Sequence, residues 1–121
     1  AHLKNFSLLE KELGDYLMSP AYDLVNTRIH VDDTDFALSK KLFTDDFQSA
    51  AWKKNGHASA TDFLEFAKRI GVVESRSTKL LAPFLERQAD VESLINRSFL
   101  DTGSKRAYLL HYNTKRSYLN A

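Results

Sequence analysis

The sequence has no cysteine, which excludes disulfides and thiolate metal sites and permits a reducing compartment; a cytoplasmic location is expected. It has no apolar run near the roughly 20 residues that a membrane-spanning helix requires. A signal-peptide pattern is missing as well, because Asn5, Ser7 and Glu10 interrupt any apolar stretch near the N-terminus. Charge of one sign is not in excess: the formal net charge is +1, so charge alone points to neither nucleic acid nor a membrane as partner. No internal repeat and no low-complexity segment occurs. What remains is 121 residues, 43% hydrophobic and 27% charged, the composition of a folded domain that can bury a core without staples.

The pattern divides into a loop-and-strand first third and a helical remainder. Residues 5–9 are predicted to form a strand, residues 10–15 a turn containing Gly14, and residues 16–18 the returning strand, which makes a small hairpin. Ser19-Pro20 stops it. A short helix is predicted over 23–29 with Asp23 near its start. A further strand is predicted over 35–42, where Phe36, Leu38 and Leu42 alternate imperfectly. Residues 44–57 are expected to hold about one helical turn, with Trp52 packed there, and then a loop at Asn55-Gly56.

From Ser59 the spacing becomes helical. Phe63, Leu64, Phe66, Ala67 and Ile70 build one apolar face, with Ser59 or Thr61 as cap and Gly71 as stop. A second helix is predicted over 74–100, kinked or split at Pro83. A last helix is predicted over 105–119, after a capped break at 101–104, with Ala107, Tyr108, Leu110, His111 and Tyr118 as packing positions. The fold class is therefore mainly α with a small N-terminal β-hairpin.

Asn5 stands just before the first strand. Ser19-Pro20-Ala21-Tyr22-Asp23 is a tight loop after the second, ending in an acid. The hairpin should thus present an amide oxygen and a carboxylate close in space. Two hard oxygen donors suit Mg²⁺, which is commonly held by one or two protein oxygens together with phosphate oxygens and water.

These residues resemble a known family. His2-Leu3-Lys4-Asn5-Phe6-Ser7 is similar to the catalytic loop of HipA-like serine/threonine protein kinases, Asp-x-His-x-Lys-Asn-Phe-Ser. The run Ser19-Pro20-Ala21-Tyr22-Asp23-Leu24-Val25-Asn26-Thr27 is similar to the segment that replaces Asp-Phe-Gly in that family. The resemblance is strong over 1–42 and loose over the later helices. It implies that the chain is the C-terminal part of a HipA-like kinase domain, a helical kinase C-lobe, with 1–42 carrying both motifs and 59–121 a helical bundle. It implies ATP and Mg²⁺ as cofactors in the full-length parent, with Asn5 and Asp23 as the metal- and nucleotide-binding pair. Lys4 would offset charge on the transferred phosphoryl group, and His2 would support the loop.

One departure matters. The family's catalytic Asp stands five positions before the Asn, which falls one position ahead of Ala1. The chain is therefore expected to be a fragment without activity of its own. The partners implied are the remaining N-terminal part of the kinase, a protein substrate and a DNA-binding antitoxin subunit of a bacterial toxin–antitoxin pair; neither a membrane nor direct nucleic-acid binding is expected.

Other constellations carry less. His30, His57 and His111 lie too far apart in sequence to form a recognisable ligand set. Asp32-Asp33-Thr34-Asp35 starts like a calcium loop, but Ala37 and Phe43 occupy the positions where Gly and Glu are needed, so a solvated acidic turn is expected. The alternative to a kinase part is a helical module without catalytic activity. It would either read DNA through helices within 61–99, which the near-neutral charge disfavours, or bind protein through Trp52, Tyr108, Tyr112 and Tyr118.

Overall fold

A reversal built on Gly14 organises the N-terminal region. Gly14 has φ +78°, a left-handed conformation that costs glycine little, and its N–H donates to the Lys11 carbonyl at 2.9 Å. The Lys11 N–H donates to the Asp15 carbonyl at 2.7 Å and closes the loop. Strands β1 (Leu8–Glu10) and β2 (Tyr16–Met18) then pair antiparallel, with Leu8 opposite Met18 and Glu10 opposite Tyr16. In this computed structural model the described residues are 3–33 and 42–121. The chain divides into two compact units, 1–40 and 41–121.

The first unit holds the hairpin between two short 3-10 turns, Leu3–Asn5 and Thr27–Ile29. Two expectations change here. The strand expected over 5–9 starts only at Leu8, and Asn5 ends a 3-10 turn. The ladder's last bond runs from the Ser19 N–H to the Ser7 carbonyl. The helix expected over 23–29 shrinks to the turn Thr27–Ile29, because Asp23 takes φ +52°, which cannot open a right-handed helix. The strand expected over 35–42 lies outside the described residues except for Leu42, which is in a bend.

The second unit is helical: α1 (Ala50–Asn55), α2 (Ala60–Arg69), α3 (Glu74–Leu85), α4 (Ala89–Arg97) and α5 (Thr102–Leu119). The α2 helix packs on α3, and α5 packs on both α3 and α4. Among the described residues no helix is long and apolar enough to cross a membrane. Gly56 terminates α1 in the left-handed conformation, as its Asn-Gly pair suggests. Ser59 caps α2 through a reciprocal box with Asp62.

Asp62 reaches further than its own helix. Its fully buried carboxylate accepts from Ser59 N at 2.9 Å and Ser59 Oγ at 3.1 Å, and from Ser49 N at 3.0 Å and Ser49 Oγ at 2.8 Å. One side chain thereby ties the start of α2 to the residue that caps α1. Burial pushes this carboxyl up, but the Ser59 and Ser49 donors outweigh it and hold it below the ordinary carboxylate value. Nearby, the Arg69 guanidinium lies over Phe43 and Phe47, 4.4 and 4.8 Å from the ring centres, and bonds Asp45 at 2.6 Å and Glu65 at 2.8 Å.

The long helix expected over 74–100 is indeed split, but not at Pro83. Helix α3 runs through Pro83 to Leu85, and the break covers 86–88. Pro83 sits in the last turn, and the helix ends two residues after it. Side chains of α5 and of Asn120, its C-cap, take up the polar groups at the break. Tyr112 Oη accepts from Gln88 N at 2.9 Å, Arg116 Nε donates to the Glu86 carbonyl at 3.1 Å, and Asn120 Nδ2 donates to the Leu85 carbonyl at 3.1 Å.

Helix α5 starts three residues earlier than expected, at Thr102, because Asp101 caps it by accepting from Ser104 N at 3.0 Å. Of its expected packing positions, Leu110 is instead 65% exposed. Leu80, Phe84, Leu94 and Phe99 are exposed too, whereas Ile95 is buried. Trp52, Tyr108, Tyr112 and Tyr118, read as possible docking aromatics, are each partly buried within their own unit.

Candidate functional site

At the open end of the hairpin the residues before β1 meet those after β2. Asn5 ends its 3-10 turn and is 93% buried, at 7% exposure. Its Nδ2 donates to Asp23 Oδ2 at 2.8 Å. The hairpin thus brings together the two oxygen-bearing side chains singled out by sequence. Asp23 is the one non-glycine residue among those described with a positive φ. Aspartate tolerates this conformation better than most residues, and such positions cluster at functional sites.

Two further side chains hold this end closed. Tyr22 Oη donates to the Lys4 carbonyl at 3.1 Å and lies 2.7 Å from Ser7 Oγ. A phenol has one proton and a carbonyl only accepts, so the Ser7 hydroxyl donates to the Tyr22 oxygen. Sequence reasoning gave neither residue a role. The available signal was a tyrosine directly before the acid and a serine two places after the asparagine, inside the same two motifs.

The other sequence-predicted residues separate from this pair or fall outside it. Lys4 is exposed, and its ammonium has no hydrogen-bond or ion-pair partner among the described residues. His2 lies outside the described residues. His57 is stacked on Tyr118, ring centres 3.8 Å apart, and His111 lies on α5 with Nδ1 buried and lacking a hydrogen-bond partner; both are packing residues of the second unit. His30 is exposed in the first unit. In the acidic stretch, Asp33 accepts from the Thr27 hydroxyl and Asp32 lies 4.0 Å from Arg28, so these acids have partners of their own. Among the described residues no group of three or more His, Cys, Asp or Glu side chains converges as a metal cage.

An amide and a carboxylate are a donor set that fits a hard divalent cation whose remaining ligands come from phosphate and water. They do not fit a cation that needs a complete protein cage. The family model of the HipA-like C-terminal domain matches residues 1–95, and the chain belongs to that family. No curated protein and no solved structure matches it.

Proposed function

We propose that this chain is the metal-holding C-terminal part of an ATP-dependent serine/threonine protein kinase of HipA-like toxin type. One observation carries the reading: Asn5 and Asp23, from opposite arms of the hairpin, meet at 2.8 Å. That pairing supports the reading because an amide and a carboxylate side by side suit a hard divalent cation. Family membership over residues 1–95 supports the same reading.

In this reading Asn5 and Asp23 bind and orient Mg²⁺ with ATP, and the helical unit is part of the kinase C-lobe. Bound Mg²⁺ supplies charge neutralisation to the phosphates. Asn5 contributes its amide oxygen and Asp23 its carboxylate. Asn5, being buried, holds its orientation with little rotamer freedom left to lose, which is the preorganisation that phosphoryl transfer draws on. The Lys4 ammonium offsets charge on the phosphoryl group, and His2 supports the loop rather than moving a proton. The remaining kinase portion, a protein substrate and a DNA-binding antitoxin subunit are the partners, in the cytoplasm.

The test is transfer of labelled γ-phosphate from ATP to a serine or threonine of a protein by the full-length parent. Asp23→Ala is expected to abolish transfer while leaving the helical circular dichroism unchanged. Undiminished transfer by Asp23→Ala would contradict the assignment.

A further inference from the structure

We infer that the Tyr22 hydroxyl is a positioning group that sets the distance between Asn5 and Asp23, and so the metal requirement of the site. This rests on the metal-holding reading above and goes beyond it by assigning a residue that touches neither cation nor phosphate.

The argument begins with where backbone pairing ends. Ser19 N–H donates to the Ser7 carbonyl at 2.8 Å, the last rung of the ladder. Beyond it Phe6 falls opposite Pro20, a step at which the backbone N–H and C=O point away from the partner strand, so no main-chain bond joins the two arms there. Yet Asn5 and Asp23 meet beyond that point, at 2.8 Å. The phenol of Tyr22 also spans this end of the hairpin. It donates to the Lys4 carbonyl at 3.1 Å and accepts from Ser7 Oγ at 2.7 Å. Lys4 immediately precedes Asn5 and Ser7 follows it by two residues, so the phenol brackets Asn5 from both sides.

Asp23 is covalently next to Tyr22. In an extended segment consecutive side chains point to opposite faces, and only one of the two could reach the facing arm. Here both do. The left-handed turn at Asp23, φ +52°, accompanies this double engagement. A single hydroxyl therefore fixes the arm that carries Asn5 relative to the residue that carries the carboxylate. Tyr22 is 41% exposed, so water competes for these bonds and the expected effect is graded rather than complete.

Two readouts test this on Tyr22→Phe, which removes only the hydroxyl. The first is the Asn5 side-chain amide proton signal in the 121-residue chain, followed by NMR. It is expected to move toward the position of a free amide, with the cross-strand amides of Leu9 and Leu17 unmoved. A merely structural role would move the hairpin amides with it. The second is the Mg²⁺ concentration giving half-maximal ATP binding to the full-length parent, expected to rise about fivefold, the size of one to two solvent-exposed hydrogen bonds. Ser7→Ala, which keeps the bond to Lys4, should shift both readouts in the same direction by less.

An unmoved Asn5 signal in Tyr22→Phe overturns the inference. So does a moved signal with an unchanged Mg²⁺ requirement. If Asn5→Ala and Asp23→Ala leave Mg²⁺-dependent ATP binding intact, the metal assignment itself fails, and the NMR readout still decides whether Tyr22 positions the pair.

Discussion

The two units of this chain are held together by different means. The helical unit is tied by hydrogen-bonded polar side chains. Asp62 ties two helix starts, Arg69 joins two aromatic rings to two acids, and α5 caps the break between α3 and α4. The hairpin unit buries little among its described residues. Leu8, Leu9, Tyr16 and Met18 are all exposed on its strands, and a two-stranded sheet alone is marginal in water. Four side chains, Asn5, Ser7, Tyr22 and Asp23, are bonded together at its open end. The contrast teaches that the side chains expected to do chemistry stand on a light frame with specific hydrogen bonds, while the helices carry the bulk of the fold.

Breaking the helical side should give the largest effect. Asp62→Ala leaves the buried N–H groups of Ser49 and Ser59 without an acceptor, a loss of roughly 3 kcal/mol in denaturant unfolding followed by helical circular dichroism. The same carboxylate gives an acid signature. Its folded pKa lies below the ordinary value of 3.8, so its contribution is complete well above that value and is lost as pH falls through it toward the lower folded pKa. Stability should therefore fall below about pH 4, and Asp62→Asn should flatten that part of the pH profile.

A smaller effect is expected at the helix break. Arg116→Ala removes the cap on the Glu86 carbonyl and should cost about 1 kcal/mol by the same measurement. Smallest for the whole chain is Gly14→Ala. Space is open there, but φ +78° strains an alanine by about 1 kcal/mol. Faster hydrogen exchange should appear in β1 and β2 amides, with the helical unfolding transition unmoved. A shifted helical transition would blur the contrast between the units.

Much of this was legible in sequence where local chemistry decides. The returning strand Tyr16–Met18, the Gly14 turn, the Asn55-Gly56 stop and the Ser59 cap each depend on a few adjacent residues. The nearness of Asn5 and Asp23 followed from the hairpin that lies between them. What escaped was set by distant partners. The break after Leu85, rather than at Pro83, is held by Tyr112, Arg116 and Asn120, which no local pattern connects to it. The exposure of Leu110 depends on which face of α5 its neighbours cover, and periodicity does not show that. The Tyr22 bridge joins residues whose spacing becomes meaningful only after the hairpin closes.

The central claim is that the amide of Asn5 and the carboxylate of Asp23 together hold a cation with nucleotide. Calorimetric titration of ATP into the full-length parent, with and without Mg²⁺, addresses it most directly. Binding that requires Mg²⁺ and is lost in both Asn5→Ala and Asp23→Ala, with melting of the helical unit unchanged, is the predicted result. Equal affinity in the parent and both variants would contradict it.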